Sequence, residues 1–133
     1  MTAAPVPYVL FPGNAREALG FYHGVFGGSL SLFTREQFGR TDAPGDAIAH
    51  GELTGVVHLS GADADAGGPA VRTEGLMLSL LGTADEATLR AWFAGLADGG
   101  RVVDDLQERP WGASDGQVVD RFGLHWLIGF EPS

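Results

Sequence analysis

Asn14-Ala15-Arg16-Glu17 and Thr83-Ala84-Asp85-Glu86 decide the fold, because each opens a helix-like stretch that closes on a glycine pair. The first closes at Gly27-Gly28 and the second at Gly99-Gly100; the starts are 69 residues apart and the stops 72. Each start sets a side-chain oxygen three residues before a Glu, the spacing of a capping box. Each stop offers glycine where a helix ends in a left-handed residue. An apolar strand follows each pair, Leu30 to Phe33 and then Val102-Val103. The chain therefore states one pattern twice, and two similar halves make a cleft, the usual setting for small-molecule chemistry.

Working outward, Pro7 to Phe11 reads as a strand broken by Pro12-Gly13. The first helix carries Ala15, Ala18, Leu19, Tyr22, Val25 and Phe26 at spacings of three and four, one buried stripe. Gly20 and Gly24 weaken it, and close packing on a sheet would account for them. Ser29 to Thr34 alternates as a strand, and Arg35 to Gly45 is a polar loop. Ala47 to Thr54 and Val56 to Ser60 are strands joined at Gly55, and Gly61 to Thr73 is a linker without periodicity. The second half repeats the order. Leu76 to Leu81 is a strand. The second helix lines up Leu89, Trp92, Phe93 and Leu96, and Arg101 to Asp104 is a strand. Asp105 to Asp115 is a loop, and Gln117 to Asp120 with Leu124 to Phe130 form a hairpin. The expected fold is α+β, with each half a strand, a helix and three strands. One domain is expected, with module one at about 5–61, the linker at about 62–73 and module two at about 74–133.

Composition excludes several classes of function. At 133 residues the chain can bury roughly two-thirds of its unfolded surface. It has no cysteine, so disulfides, thiol nucleophiles and thiolate metal sites are absent. The net charge is −9, and all 8 basic residues are scattered arginines, so neither nucleic acid nor an anionic membrane is an expected partner. Met1 to Pro5 has neither the basic nor the apolar region of a signal peptide, and no apolar run is long enough to span a bilayer. The expected location is cytoplasmic. There is no nucleophile elbow, phosphate loop or dinucleotide fingerprint, so no cofactor is expected.

The residues then match a known family. Pro7-Tyr8, Phe11-Pro12-Gly13-Asn14, Glu17-Ala18-Leu19, Phe21-Tyr22 and Val25-Phe26-Gly27-Gly28 resemble the opening of PhnB-like proteins. So do Ala49-His50-Gly51-Glu52-Leu53, Trp111-Gly112 and Asp120-Arg121-Phe122-Gly123-Leu124-His125-Trp126. PhnB-like proteins belong to the glyoxalase/bleomycin-resistance superfamily, also called vicinal oxygen chelate proteins. The resemblance implies two βαβββ modules forming an incomplete barrel around a cavity, often in a homodimer. It also implies, for the metalloenzymes, four ligand positions on the first and last strands of the modules. Those positions fall on Pro7, His58, Gly75 and Leu127, of which only His58 has a lone pair to give. Glu74 reaches its position only by a register slip, which would flip its neighbours between faces. No bound metal is therefore expected.

The candidate site residues each carry two readings. His58, on an apolar strand facing the cavity, is a ligand contact, proton acceptor or residual metal ligand, or else a histidine bonded within its strand. His125 shares a strand face with Leu127 and so looks toward the cavity, but it also belongs to the hairpin motif. His50 and Glu52 share a face and can form an acid–base pair, part of a metal site, or a packed strand pair. Trp111, between Pro110 and Gly112, can stack on a ligand, plug the open barrel or pack across a dimer. Asp115, with Ser114, can supply polar contacts or simply form a turn. His23 lies on the polar side of the first helix; Trp92, Phe93 and Trp126 belong to the core. The expected function is binding of a small organic molecule, such as sequestration of a drug or metabolite. The alternative is lyase, isomerase or dioxygenase activity through a rearranged metal site or a His general base. A third reading is a dimeric interaction module whose cavity is vestigial.

Overall fold

The computed structural model describes residues 4–40 and 44–132. Parts of the reading of Met1 to Pro5 and of the Arg35 to Gly45 loop lie outside the described residues. The chain forms two compact units, residues 1–71 and 72–133. In the first, the elements are β1 (Tyr8–Phe11), α1 (Ala15–Phe26), β2 (Ser29–Thr34), β3 (Ile48–Thr54) and β4 (Leu59–Asp63). They make a four-stranded sheet in the order β1-β4-β3-β2, with β1 parallel to β4 and the other pairs antiparallel. The second unit has β5 (Leu78–Leu81), α2 (Glu86–Ala97), β6 (Arg101–Glu108), β7 (Ser114–Val119) and β8 (His125–Phe130). Its sheet order, β5-β8-β7-β6, with β5 parallel to β8, repeats the first. Neither sheet closes into a barrel.

Alternation along the strands separates two faces in each sheet. In the first unit Val9 and Phe11 of β1, Leu53 of β3 and Leu59 of β4 face inward with Ala15, Ala18, Leu19, Tyr22 and Phe26 of α1. Burying each of the larger of these side chains contributes about 1.5–3 kcal/mol. Leu19 fits because β3 has glycine beneath it: a Cβ on Gly51 would run into Leu19 Cδ1 and lie 3.0 Å from Leu32 Cδ2. In the second unit Leu89, Trp92 and Leu96 of α2 pack with Leu80, Val118, Trp126 and Ile128. The expected core residues Trp92 and Trp126 are buried, while Phe93 is only partly so. Both helices stop where expected: Gly27 and Gly99 have φ of 72° and 76°, left-handed values that glycine adopts freely.

The helix starts depart from the expectation. Asn14 flanks α1 but makes no side-chain cap. The carboxylate of Asp63, at the end of β4, accepts from Ala15 N–H at 2.9 Å instead. In α2 the cap is Asp85 rather than Thr83; Asp85 Oδ1 accepts from Thr88 N–H at 2.8 Å, which lowers the Asp85 pKa. Thr83 bonds back to the Leu80 carbonyl and sits in the preceding turn. Gly20 and Gly24 do not serve close packing: a Cβ at either meets nothing within 4 Å. Gly20→Ala and Gly24→Ala are therefore each expected to raise stability by about 0.5–1 kcal/mol, read as a higher denaturation midpoint. No change, or a loss, would show that these positions face something the described chain lacks.

Three boundaries also shift. The strand expected over Val56 to Ser60 starts at Leu59 and runs to Asp63, into the segment read as linker. β5 begins at Leu78, leaving Leu76 and Met77 exposed before it. β6 extends to Glu108 through two irregularities, so the loop shrinks, and Ser114 and Asp115 fall on β7. Arg109 explains the long strand. It bonds Asp115 Oδ1 at 2.7 Å and Asp104 Oδ2 at 2.6 Å, and these charge-assisted bonds, Asp115's first, hold its guanidinium above its ordinary pKa.

Candidate functional site

The open face of the first sheet, away from α1, collects the polar candidates. His50 and Glu52 alternate with buried Gly51 and Leu53, so both project to this face from β3. Tyr8 arrives from β1. The strand between them, β4, places Ser60 in register with both Tyr8 and Glu52. The Tyr8 hydroxyl lies 3.0 Å from His50 Nδ1, and the two rings stack at 5.6 Å. Desolvation raises the Tyr8 pKa, and the hydroxyl shares a hydrogen bond with Nδ1. His50 Nε2 faces Glu52 Oε2 at 3.9 Å. His58 Nε2–H donates to the other oxygen, Oε1, at 3.1 Å. The Glu52 carboxylate thus holds His58 by a hydrogen bond and lies beside His50. His58 itself is not on a strand as expected; it is exposed between the bend at residues 55–57 and β4.

Beside this line stand exposed rings. Phe33, paired with His50 in the β2–β3 register, stacks on it at 6.4 Å, and Phe38 stacks on Phe33 at 5.9 Å. Tyr8, Phe33 and Phe38 carried no functional expectation. The alternation of β1 placed Tyr8 opposite Val9 and Phe11, which was the available signal; nothing local marked Phe38.

A second polar centre lies at the start of α1. Arg35 is 2% exposed and donates to the carbonyls of Asp63 and Ala64 at 2.6 and 3.2 Å. Asp63 Oδ2 accepts from Ile48 N–H at 2.8 Å. A pocket of about 470 Å³ adjoins them, walled by Asn14, Arg16, Glu17, Asp46 and Ile48. Its acid and base groups are mixed, and its buried members hold backbone together.

In the second unit, Trp111 and Asp115 border one pocket of about 330 Å³ with Leu81, Ser114, Phe130 and Glu131. Trp111 is 73% exposed at the β6–β7 turn. Asp115 is engaged by Arg109, so it meets the pocket as half of an ion pair. His125, on the same face of β8 as Leu127, donates Nε2–H to Gln117 Oε1 at 2.9 Å. His23 is exposed at the end of α1 and bonds the Gly28 carbonyl at 3.1 Å. The structure thus brings His50 and His58 to either side of Glu52, and Trp111 and Asp115 to one pocket.

The donor set does not fit the divalent ion that the resemblance implies for metalloenzymes. Pro7, Gly75 and Leu127 have no donor atom, and Glu74 is exposed and ion-paired to Arg72 at 2.9 Å. Among the described residues no group of three or more His, Asp or Glu is arranged to hold a metal.

Comparison with known proteins bears on this arrangement. The family model described as the Glyoxalase/Bleomycin resistance protein/Dioxygenase superfamily matches residues 5–128. Protein YjdN of Escherichia coli (strain K12) is 26% identical over 140 residues, covering 92% of this chain and 91% of that protein. The crystal structure of protein PA1353 from Pseudomonas aeruginosa is 34% identical, covers 99% of this chain and 100% of its own, and superposes with a TM-score of 0.82. The PhnB protein from Bacillus cereus, at 19% identity, 98% and 100% coverage and a TM-score of 0.74, shares the fold.

Proposed function

Because the chain belongs to the glyoxalase/bleomycin resistance protein/dioxygenase superfamily, we propose that it binds a small organic molecule and acts by sequestering a drug or metabolite. The observation that carries this reading is the cluster Tyr8, His50, Glu52 and His58 on an open, ring-flanked sheet face, with hydrogen bonds joining Tyr8 to His50 and Glu52 to His58. Few oriented polar groups among apolar ones are what a binding site needs, since the polar groups fix orientation and the apolar area supplies affinity. Trp111, Asp115 and His125 are proposed as further contacts within the second unit, with Trp111 supplying a stacking face. The test is a thermal-shift screen of small organic compounds, followed by NMR mapping of those that raise the melting temperature. A compound at 100 times its Kd adds about 2.7 kcal/mol to stability. Hits should perturb Tyr8, His50 and His58 and weaken about tenfold in His58→Ala, the loss of one hydrogen bond of about 1.4 kcal/mol. Hits that perturb neither this face nor the Trp111 pocket would sink the proposal.

A second reading has one observation in its favour. Glu52 holds His58 by Nε2–H, which leaves Nδ1 as an acceptor, the posture of a general base with its orienting carboxylate. If His58 is a base, the protein exchanges a C–H beside a ketone carbonyl with solvent deuterium, and His58→Ala abolishes the exchange.

We also propose a homodimer without a stoichiometric divalent ion. Open sheets leave edge strands for a partner to cover, and the donor set above offers only His58. Native mass spectrometry checks both: a species at twice 13.9 kDa with no added metal mass is expected. A monomer at high micromolar concentration would refute the first statement. One equivalent of zinc, nickel or iron lost in His58→Ala would refute the second.

A further inference from the structure

Leu81, Gly129 and Asp115 form one row across β5, β8 and β7, because Gly129 is in register with each of the other two. A Cβ on Gly129 would lie 2.9 Å from Asp115 Cβ and 2.9 Å from Leu81 Cδ2, so both side chains rise on the face to which that Cβ would point. The row borders the pocket of about 330 Å³ in the second unit, together with Trp111 and Glu131. That volume suits a small molecule. Two of its walls are apolar and open to solvent, Leu81 at 50% and Trp111 at 73% exposure. An indole lying flat on the protein would have one whole face covered, which 73% exposure does not allow, so ring surface is left for a ligand.

The polar wall is acidic and prepared. Arg109 grips Asp115 through Oδ1 alone, from Nε at 3.0 Å and from its terminal nitrogen at 2.7 Å. The carboxylate is thereby fixed, and Oδ2, turned away from Arg109, takes no hydrogen bond among the described residues. Asp104 also bonds Arg109, so the three groups together keep one negative charge. Glu131 is exposed and adds a second, with no ion pair among the described residues. No basic side chain borders the pocket. Arg90, over the Phe130 ring at 5.1 Å, is itself paired to Glu86. An anion entering here meets two carboxylates and a chain of net charge −9. A cation meets a fixed acceptor, an unpaired counter-charge and an indole, whose ring attracts positive charge.

We infer that this pocket takes a small organic cation, with an ammonium or amidinium N–H on Asp115 Oδ2, Glu131 as counter-charge and an apolar part against Leu81 and Trp111. The inference rests on the reading of the Trp111 pocket as a small-molecule contact and adds the ligand's class.

The experiment titrates three probes of one size at pH 7 and follows the Asp115, Gly129 and Glu131 amides and the Trp111 indole by NMR. The probes are benzylamine (cation), benzyl alcohol (neutral donor) and benzoate (anion). Benzylamine is expected to shift these signals and to bind about tenfold tighter than benzyl alcohol, the factor a charge-assisted hydrogen bond supplies. Benzoate should leave them unmoved. Glu131→Gln keeps the shape and removes the charge, and should weaken benzylamine about threefold while leaving benzyl alcohol unchanged. Trp111→Leu should weaken benzylamine by a similar factor through loss of the ring. Both positions are exposed, so neither change threatens the fold. Equal binding of benzylamine and benzyl alcohol, or benzylamine binding untouched by both substitutions, overturns the cation inference and leaves the small-molecule reading intact. If no probe shifts these signals the inference fails, and the screen proposed above then decides separately whether the pocket binds anything.

Discussion

Asp120→Ala lowers the free energy of unfolding by about 3–5 kcal/mol and the melting temperature by roughly 10–15 °C. Asp120 is 3% exposed, and its carboxylate gathers three donors. Oδ1 accepts from the backbone of Phe122 at 2.8 Å and of Leu124 at 3.2 Å, and Oδ2 accepts from Trp126 Nε1 at 2.8 Å. These bonds tie the turn at Arg121-Phe122-Gly123 to the start of β8 and to the largest fully buried side chain in the protein. Alanine takes the acceptor from all three at once, and each buried donor so deprived costs about 1–3 kcal/mol. Asp120→Asn should fall between, because one oxygen survives while its NH2 must face a donor. Chemical denaturation of the three proteins makes the comparison, and a loss under 1 kcal/mol for alanine would contradict the assignment.

Asp63→Ala is expected to cost about 3–4 kcal/mol, by the same physics in the first unit. Its two oxygens divide between Ala15 N–H, at the start of α1, and Ile48 N–H, at the start of β3, both fully buried. The carboxylate also sits where the helix dipole is positive. Asn14→Ala is the control. A true cap would cost about 1 kcal/mol, but Asn14 makes no side-chain cap bond, so the change should stay within about 0.5 kcal/mol. Hydrogen exchange should show the first turn of α1 opening in Asp63→Ala and unchanged in Asn14→Ala. The reverse order of the two effects would return the capping role to Asn14.

These two aspartates mark where sequence reading ran short. Asp120 lay inside a recognised hairpin motif, and its bonds span only a few residues. Asp63 was read as linker, because its partner Ala15 is 48 residues away and no local pattern announces such a pairing. The site divides in the same way. That His50 and Glu52 share a face follows from strand alternation. That the Glu52 carboxylate lies beside both His50 and His58 depends on how the bend before β4 returns to β3. Ser114 and Asp115 looked like turn residues by composition, and the Arg109 ion pairs extended the strands around them.

By itself the sequence determined what short-range physics controls: two amphipathic helices from their spacing of three and four, their ends from glycines that alone adopt left-handed φ cheaply, and the strand–helix–three-strand order of each half. The absence of cysteine equally leaves this sequence no thiol nucleophile, thiolate ligand or disulfide. Only the tertiary structure decided which carboxylate caps α1, which strands lengthen, and that Tyr8, His50, Phe33 and Phe38 form one ladder. Each of these rests on contacts between residues distant in the chain. Their free energies appear only after strand register is set, and register is a property of the whole sheet and of no single segment.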